Sequence, residues 1–182
     1  YNLPSVEGYD ALYIKDYARF ISYIQDGCPQ NLNRSVVIFP KDGLYTSKAI
    51  NLLNIKYIVH KLADDHAGWT FPYWPYPKNQ FKLIFKDTKY EFYENVKAFP
   101  HVFLVGKYKI IKDQQKVIDA MFRDKFDLRR EIILDKDLKF VQTENFAGTA
   151  KITSYNPNKI EILTEAKSDS LLFLTDNYYS GW

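Results

Sequence analysis

Residues 35–59, SVVIFPKDGLYTSKAINLLNIKYIV, are the stretch that best indicates how this chain folds. They begin with a short, β-branched and apolar run at 35–39, which is typical of a buried strand. Thr46 or Ser47 can cap a short helix that extends to Leu53, and a second strand-like run follows at 55–59. This order predicts a small βαβ-like unit, although the helix is short for a parallel crossover.

The segment upstream of this unit, residues 10–25, has the pattern of an amphipathic helix. Its apolar side chains recur at helical spacing and fall on one stripe, formed by Tyr13, Tyr17, Phe20, Ile21 and Ile24. Asp10 is a candidate N-cap, and Gly27 together with Pro29 ends the helix.

The segments downstream alternate between strand and helix patterns. Runs at 81–85 and 90–93 predict a hairpin, 102–111 predicts a further strand, and 114–126 predicts a helix with one apolar face. In the last third, strand-like runs at 150–155, 159–164 and 171–175 predict an antiparallel unit. We therefore expect an α+β fold, with helices packed on a small mixed sheet followed by antiparallel strands of a sandwich-like unit.

A change of character near Gly148 predicts the internal boundary. Residues 1–147 would form an α/β-type domain, and residues 148–182 an antiparallel β segment that is truncated at its C-terminal end. The length of 182 residues suits one domain or two small ones that share an interface.

The composition excludes some classes of partner and of crosslink. The net charge is +3, but only five of the 25 basic residues are Arg, and the Lys residues are scattered among acids. Because phosphate and base recognition favours clustered Arg, we expect no nucleic-acid partner. The lone Cys28 excludes an intramolecular disulfide, and no apolar run approaches the roughly 18 residues that a membrane span requires.

The residues that usually carry chemistry form no established motif. His60, Asp64 and His66 could in principle meet around a metal, but their spacing matches no known ligand pattern, and a solvated loop explains them better. We therefore expect no metal and no cofactor. The chain also lacks a G-x-S-x-G elbow and a glycine-rich phosphate loop, and Cys28 has no evident His partner. We assign no catalytic residue.

The most distinctive stretch is the run of aromatic residues and prolines at 69–77. Its stiffness leaves little conformational entropy to lose on contact, so we name four candidate ligand-binding residues, Trp69, Tyr73, Trp74 and Tyr76. Three alternatives remain open: a stacking platform for sugar rings, an anchor at a membrane interface, or a segment that folds back on the domain's own core.

Four segments resemble, in the same order, the C-terminal extracytoplasmic region of the YfhO family of bacterial multi-span membrane proteins. They are Gly8-Tyr-Asp-Ala-Leu-Tyr13 with Tyr17, then Leu52-Leu-Asn-Ile-Lys-Tyr-Ile-Val59, then Tyr93-Glu-Asn95 with Ala98, Pro100 and Val102-Phe-Leu104, and finally Leu172-Phe-Leu-Thr-Asp-Asn-Tyr-Tyr-Ser-Gly-Trp182. The chain departs from that pattern in two places: His101 stands where the family usually has Arg, and Ser180 replaces a Pro. The aromatic run at 69–77 is not part of the pattern.

The resemblance implies a parent protein with many membrane spans, related to glycosyltransferases that use lipid-linked sugars. This chain would then lie at the extracytoplasmic face of the cytoplasmic membrane and assist cell-surface glycan modification without catalytic residues of its own. The expected partners are the transmembrane region of its own parent chain and a cell-surface glycan or lipid-linked sugar. Asn54 and Asn95 would be turn or cap residues. The alternatives are a structural or protein-interaction module with no glycan role, and a free-standing hydrolase or metalloenzyme.

Overall fold

The computed structural model describes residues 6, 8–9, 14–30, 36–37, 39–62, 77–123, 125–139, 141–144 and 146–176. These residues form helices together with strands in several small sheets, so the predicted α+β class is confirmed. The chain divides into two compact units, with the division between Phe99 and Pro100.

The first unit contains two helices and short strands. In chain order its elements are β1 (Gly8–Tyr9), α1 (Lys15–Asp26), β2 (Val36–Val37), α2 (Thr46–Leu52), β3 (Tyr57–Lys61), β4 (Phe81–Lys86) and β5 (Tyr90–Asn95).

Helix α1 confirms the predicted amphipathic segment in its described part. Ile21 and Ile24 of the predicted stripe are buried, and Tyr23 is buried beside them. Gly27 ends the helix in the left-handed conformation, with φ of 76°, and its N–H donates to the Tyr23 carbonyl at 2.9 Å. The helix begins at Lys15, and the candidate N-cap Asp10 and stripe residue Tyr13 lie outside the described residues.

The sheet of the first unit has the order β3-β5-β4, and both pairings are antiparallel. The β4–β5 pair is the predicted hairpin, with a register shift between Leu83 and Phe85 that marks a bulge.

The predicted βαβ-like unit at 35–59 does not form among the strand pairs described. Strand β2 pairs with β1, whereas β3 pairs with β5 in antiparallel fashion. Helix α2 has seven residues and spans about 10 Å at 1.5 Å per residue, which is short for a helix that crosses a sheet. Strands β2 and β3 hydrogen-bond instead to antiparallel partners, β1 and β5.

The second unit contains one described helix and the remaining strands. Its elements are β6 (Val102–Val105), β7 (Lys107–Ile110), α3 (Gln114–Phe122), β8 (Glu131–Leu134), β9 (Gly148–Asn156), β10 (Lys159–Ala166) and β11 (Leu171–Leu174). Strands β7 and β8 are parallel hydrogen-bonded neighbours, and α3 connects them along the chain. The chain therefore does form a parallel strand–helix–strand unit, at a place where the sequence patterns did not predict one. Strands β9 and β10 form a hairpin, and β11 pairs antiparallel with β6.

The core of the second unit lies between these paired strands. Val105, Tyr108 and Ile132 are buried together, and partly buried apolar side chains from β6, β8 and β11 pack against them. The two-segment division expected from the sequence, at residues 147 and 148, stays a prediction, and that point lies within the second unit, where β9 begins.

The predicted strand at 102–111 is divided into β6 and β7 at Gly106. A Cβ atom at this position would lie 2.7 Å from the Phe146 Cβ and 2.9 Å from the Thr143 carbonyl oxygen. The Thr143 N–H donates to the Gly106 carbonyl at 3.0 Å, so the segment around residue 143 packs directly on the backbone here. Close backbone approach therefore explains the glycine.

Candidate functional site

The four predicted ligand-binding residues, Trp69, Tyr73, Trp74 and Tyr76, lie outside the described residues, and their role stays a prediction. Asp64 and His66, considered above for a metal site, also lie outside them.

The most connected group of ionisable side chains lies on one face of the β3-β5-β4 sheet. We call His60, Lys86, Glu91 and Tyr93 the Glu91 cluster. Register brings it together, because Glu91 on the central strand stands opposite His60 on one side and Lys86 on the other. Tyr93 lies two residues further along the same strand and so shares the face.

The Glu91 carboxylate is held by its neighbours. Lys86 Nζ donates to Oε1 at 2.6 Å, and the Tyr93 hydroxyl donates to Oε2 at 2.8 Å. His60 Nδ1 lies 3.0 Å from the same Oε2, and its ring lies nearly parallel to that of Tyr93. The side chain of Glu91 is almost entirely buried, so these contacts compensate for the loss of hydration.

The same contacts set the protonation states of the cluster. Hydrogen bonds from Lys86 and then Tyr93 hold the pKa of Glu91 below its ordinary value. Burial, and then the hydrogen bond to Glu91, raises the pKa of Tyr93 to about 12. Burial lowers the pKa of His60 despite the nearby carboxylate. At neutral pH, Glu91 is therefore ionised, Tyr93 protonated and His60 mainly neutral.

This arrangement favours a structural role over acid–base catalysis. A general base needs a lone pair directed at a substrate proton, and both carboxylate oxygens of Glu91 already accept hydrogen bonds within the sheet. The cluster instead ties β3 and β4 to the central strand.

A buried network of amide side chains links helix α2 to the same sheet. Asn95 Nδ2 donates to Asn51 Oδ1 at 2.9 Å and to the Ile55 carbonyl at 3.0 Å. Gln80 Nε2 donates to the same Asn51 Oδ1 at 3.0 Å, and the Ser47 hydroxyl donates to Gln80 Oε1 at 2.6 Å. Asn51, on the second turn of α2, is therefore the acceptor at which two strand-associated amides converge.

Asn54 and Asn95, which the resemblance implies are turn or cap residues, both lie at turns. Asn54 follows α2 with φ of 53°, a left-handed conformation that Asn tolerates better than most residues. Asn95 Oδ1 accepts the Lys97 N–H at 3.1 Å, as in an Asx turn.

A third polar group lies in the second unit, where β11 ends beside the start of β6. His101 Nε2 lies 2.7 Å from Asp176 Oδ1, and the Tyr155 hydroxyl donates to Oδ2 of the same carboxylate at 3.0 Å. The Thr175 N–H donates to the His101 carbonyl at 3.0 Å. Both oxygens of Asp176 are therefore engaged, and the group fastens the two strand ends together.

An open cleft of about 550 Å³ lies beside helix α3 and is lined partly by Lys109, Lys112 and Lys116. Its two carboxylates belong to the helix itself. Asp113 caps α3 by accepting the Lys116 N–H at 2.8 Å, and Asp119 accepts from the Gln115 amide. The cleft is thus basic, and its acids are committed to holding the helix.

Two classes of site are not seen in the ranges described above. No three His, Cys, Asp or Glu side chains there are grouped so that they could hold a metal ion. No helix there combines the length and apolar character needed to cross a bilayer.

Comparison of the chain with protein-family models, with curated proteins and with solved structures gives no match. The chain is an α+β protein of two compact units.

Sequence reasoning did not identify the Glu91 cluster or the amide network. The alternation in 90–95 places Glu91, Tyr93 and Asn95 on one face, which was a usable signal. Their partners follow only from the register of β3 and β4 and from the docking of α2.

Proposed function

We propose that this chain is the extracytoplasmic domain of a multi-span membrane protein related to glycosyltransferases that use lipid-linked sugars. In this role it assists cell-surface glycan modification and leaves the chemistry to other parts of the parent protein. One observation supports the proposal most: the segments that resemble the YfhO family are far apart in the sequence but pair with one another in the structure.

The first pairing lies in the β3-β5-β4 sheet. The segment 52–59 supplies β3, and it pairs with the segment that contains Tyr93 and Asn95, with Ile58 opposite Tyr93. The backbone N–H of Asn95 donates to the Lys56 carbonyl at 2.8 Å. Family-like residues therefore meet across a strand pair, as expected if they maintain a fold and do not bind substrate.

The second pairing lies in the other unit. Val102 and Leu104 of the third segment pair with Leu174 and Leu172 of the fourth. His101, which stands where the family usually has Arg, contacts Asp176 of the fourth segment. Arg and His can both pair with a carboxylate, so this departure is compatible with the contact to Asp176.

Two acidic side chains in the described part of the chain support the proposal that the chemistry lies elsewhere, because both are used to hold the fold together. The carboxylates of Glu91 and Asp176 each accept hydrogen bonds at both oxygens. Neither is positioned for nucleophilic or general-base work.

The proposed location is tested with the native gene carrying an epitope tag within the sequence of this chain. The tagged protein should sediment with membranes, resist carbonate extraction and become accessible to added protease in intact spheroplasts. Recovery in the soluble fraction, or protection from protease until the spheroplasts are lysed, would contradict the proposal.

The glycan role is tested by titrating cell-wall oligosaccharides and undecaprenyl-linked sugars into the 182-residue chain. We expect binding that Trp69→Ala and Trp74→Ala weaken by about tenfold, because stacking on an aromatic ring contributes roughly 1–2 kcal/mol. Trp182→Ala is the matched control and should bind like the wild type. Flat titrations with every sugar would remove the glycan role but leave the location standing.

The alternative is a structural or protein-interaction module, and the internal use of Glu91 and Asp176 favours it equally. This alternative predicts that Trp69 and Trp74 are shielded. Acrylamide quenching of the Trp182→Phe variant, in which only these two tryptophans fluoresce, separates the two functions. Strong quenching that a bound sugar suppresses supports the glycan platform, and weak quenching without sugar supports the module.

A further inference from the structure

The β3-β5-β4 sheet buries polar side chains, together with Phe81, on one face and exposes apolar side chains on the other. A sheet with one solvated face normally places apolar residues inward and polar residues outward. Here Glu91 and Asn95 of the central strand are buried, with Asn95 fully inaccessible to solvent. The opposite face carries Tyr57, Val59 and Phe85, whose exposed fractions are 58%, 52% and 51%.

This opposite face, which we call the aromatic face, is continuous across all three strands. It consists of Tyr57, Val59, Phe85, Tyr90 and Phe92. Phe92 lies on the central strand with Val59 opposite it on one side and Phe85 on the other. The rings of Phe85 and Phe92 meet edge to face, with centroids 5.4 Å apart. Register therefore places these side chains beside one another on one face, and an exposed apolar patch of this kind marks an interaction site.

Basic residues surround the patch. Segments 56–61 and 78–97, which form the sheet and its turns, contain seven lysines and three acidic residues, a net charge of +4. The whole chain carries +3, so the remainder carries −1 and the positive charge is concentrated on this sheet. Lys82 and Lys61 lie at aromatic-face positions, in register with Glu94 and Tyr90.

The three acidic residues of these segments are already included in this net charge, and each has a partner close by. Glu91 lies on the opposite face with Lys86, and Glu94 is paired with Lys56 at 2.9 Å. Asp87 accepts the Lys89 and Tyr90 N–H groups in the β4–β5 turn.

Aromatic residues with a lysine rim fit an anionic bilayer surface better than a protein partner. Lysine is depleted at the cores of protein–protein interfaces. At a membrane, tyrosine and other amphipathic rings lie among the headgroups, and lysine stems extend along apolar surface toward the phosphates. Each basic residue near an anionic bilayer strengthens binding.

We propose that the aromatic face docks on an anionic lipid bilayer, with Tyr57, Val59 and Phe85 entering the headgroup region and the surrounding lysines contacting lipid phosphates. The inference rests on the proposed function because it places the domain beside a membrane, and it adds the surface that faces the lipid. The vesicle experiment below can give a negative result while the location experiment gives a positive one, because it uses this chain alone and not the parent protein.

The test is co-sedimentation of the 182-residue chain with phosphatidylcholine vesicles and with vesicles that also contain phosphatidylglycerol. We expect binding to the anionic vesicles that weakens as salt is raised. The double variant Val59→Ser/Phe85→Ser should bind at least tenfold more weakly, because both half-exposed side chains would lose burial in lipid. The matched control is Leu163→Ser on β10, where the leucine is 67% exposed.

Charge is tested separately with Lys82→Gln/Lys89→Gln, and Lys151→Gln/Lys167→Gln in the second unit is the control. The first pair should weaken binding to anionic vesicles and the second should not.

Acetylation footprinting of the wild-type chain tests the same surface without relying on variants that could misfold. Anionic vesicles should protect Lys82 from acetylation more than Lys151. Equal vesicle binding by the aromatic-face and control variants, no binding by the wild type, or unchanged acetylation of Lys82 would each overturn the proposal. A wild-type dimer that Val59→Ser/Phe85→Ser dissociates would also overturn it, because a second copy would then occupy the face.

Discussion

Replacing Asn95 should destabilise the first unit more than replacing an exposed asparagine would. The Asn95 side chain is fully buried and uses both donors and its acceptor, toward Asn51, Ile55 and Lys97. In Asn95→Ala, Asn51 Oδ1 still accepts the hydrogen bond from Gln80, and the N–H of the exposed residue Lys97 can donate to water. The Ile55 carbonyl loses its donor in a half-buried place, and a small cavity remains.

The magnitude follows from these losses. A buried group left without a partner costs about 1–3 kcal/mol, and the cavity adds to it, so the free energy of unfolding should fall by about 2–4 kcal/mol. Asn95→Asp keeps the shape and the acceptor for Lys97 but, when ionised, cannot donate to Asn51 or Ile55. It should cost at least as much, because it also buries a charge beside two acceptors.

Urea unfolding gives the loss, and amide exchange assigns it to a unit. With a slope of about 2–3 kcal/mol per molar, the midpoint should fall by roughly 1 M. Exchange should accelerate at β3 and β5 and stay unchanged at β6 and β11. Asn156→Ala, which removes one exposed bond to Ser154, is the control and should cost less than about 0.5 kcal/mol. A loss below that level for Asn95→Ala would refute the assignment of this network to stability.

Three further predictions concern Glu91, Gly43 and His101. The pKa of Glu91 in the folded chain lies below its ordinary 4.5, so the ionised side chain stabilises the fold above pH 4.5, and this stabilisation is lost as the pH falls through the folded-state pKa. Glu91→Gln should remove this pH dependence from the acid-unfolding curve. Identical acid-unfolding curves for the variant and the wild type would contradict the prediction. Gly43→Ala should lower the free energy of unfolding by about 1–3 kcal/mol, measured by thermal or urea unfolding. The reason is that its Cβ would lie 2.6 Å from the Ile24 carbonyl oxygen and 2.8 Å from the Gln25 Cα, both backbone atoms of α1. Asp42→Ala, at the exposed neighbouring position, is the control and should be nearly neutral. His101→Ala should lower the free energy of unfolding by about 0.5–1 kcal/mol while His101→Arg retains it, and equal losses in the two variants would argue against the pairing with Asp176.

Local patterns in the sequence were enough to place several elements. The stripe in α1 follows from 3.6-residue spacing, and Gly27 ends that helix because a left-handed cap suits a residue without Cβ. The β4–β5 hairpin is equally local, since three residues, 87–89, join its strands. These elements need no knowledge of distant contacts.

Elements that depend on distant contacts could not be predicted in the same way. The division of 102–111 at Gly106 depends on Phe146 and Thr143, which lie about 40 residues away in sequence. Strand β11 was expected to continue the antiparallel series of the last third, yet it pairs with β6. Its apolar run is compatible with either partner, so the choice depends on packing around Val105.

The candidate sites show the same limit. His60 drew attention as a possible metal ligand because histidine is a common ligand type, but the structure places it beside Glu91 through strand register. The aromatic face is visible in the alternation of 57–59, but its exposure is not, because periodicity identifies two faces without showing which one is covered.

The strand order β3-β5-β4 has a consequence for how the chain acquires its structure. The strand synthesised last lies in the middle, so β3 has no partner in its sheet until β5 has been made. The local β4–β5 hairpin can form first, and β3 then adds to it by closing the connection of residues 62–80. Because closure entropy grows slowly with length, doubling that connection would cost only about 0.6 kcal/mol. Evolution could therefore lengthen or replace this segment at little cost to folding.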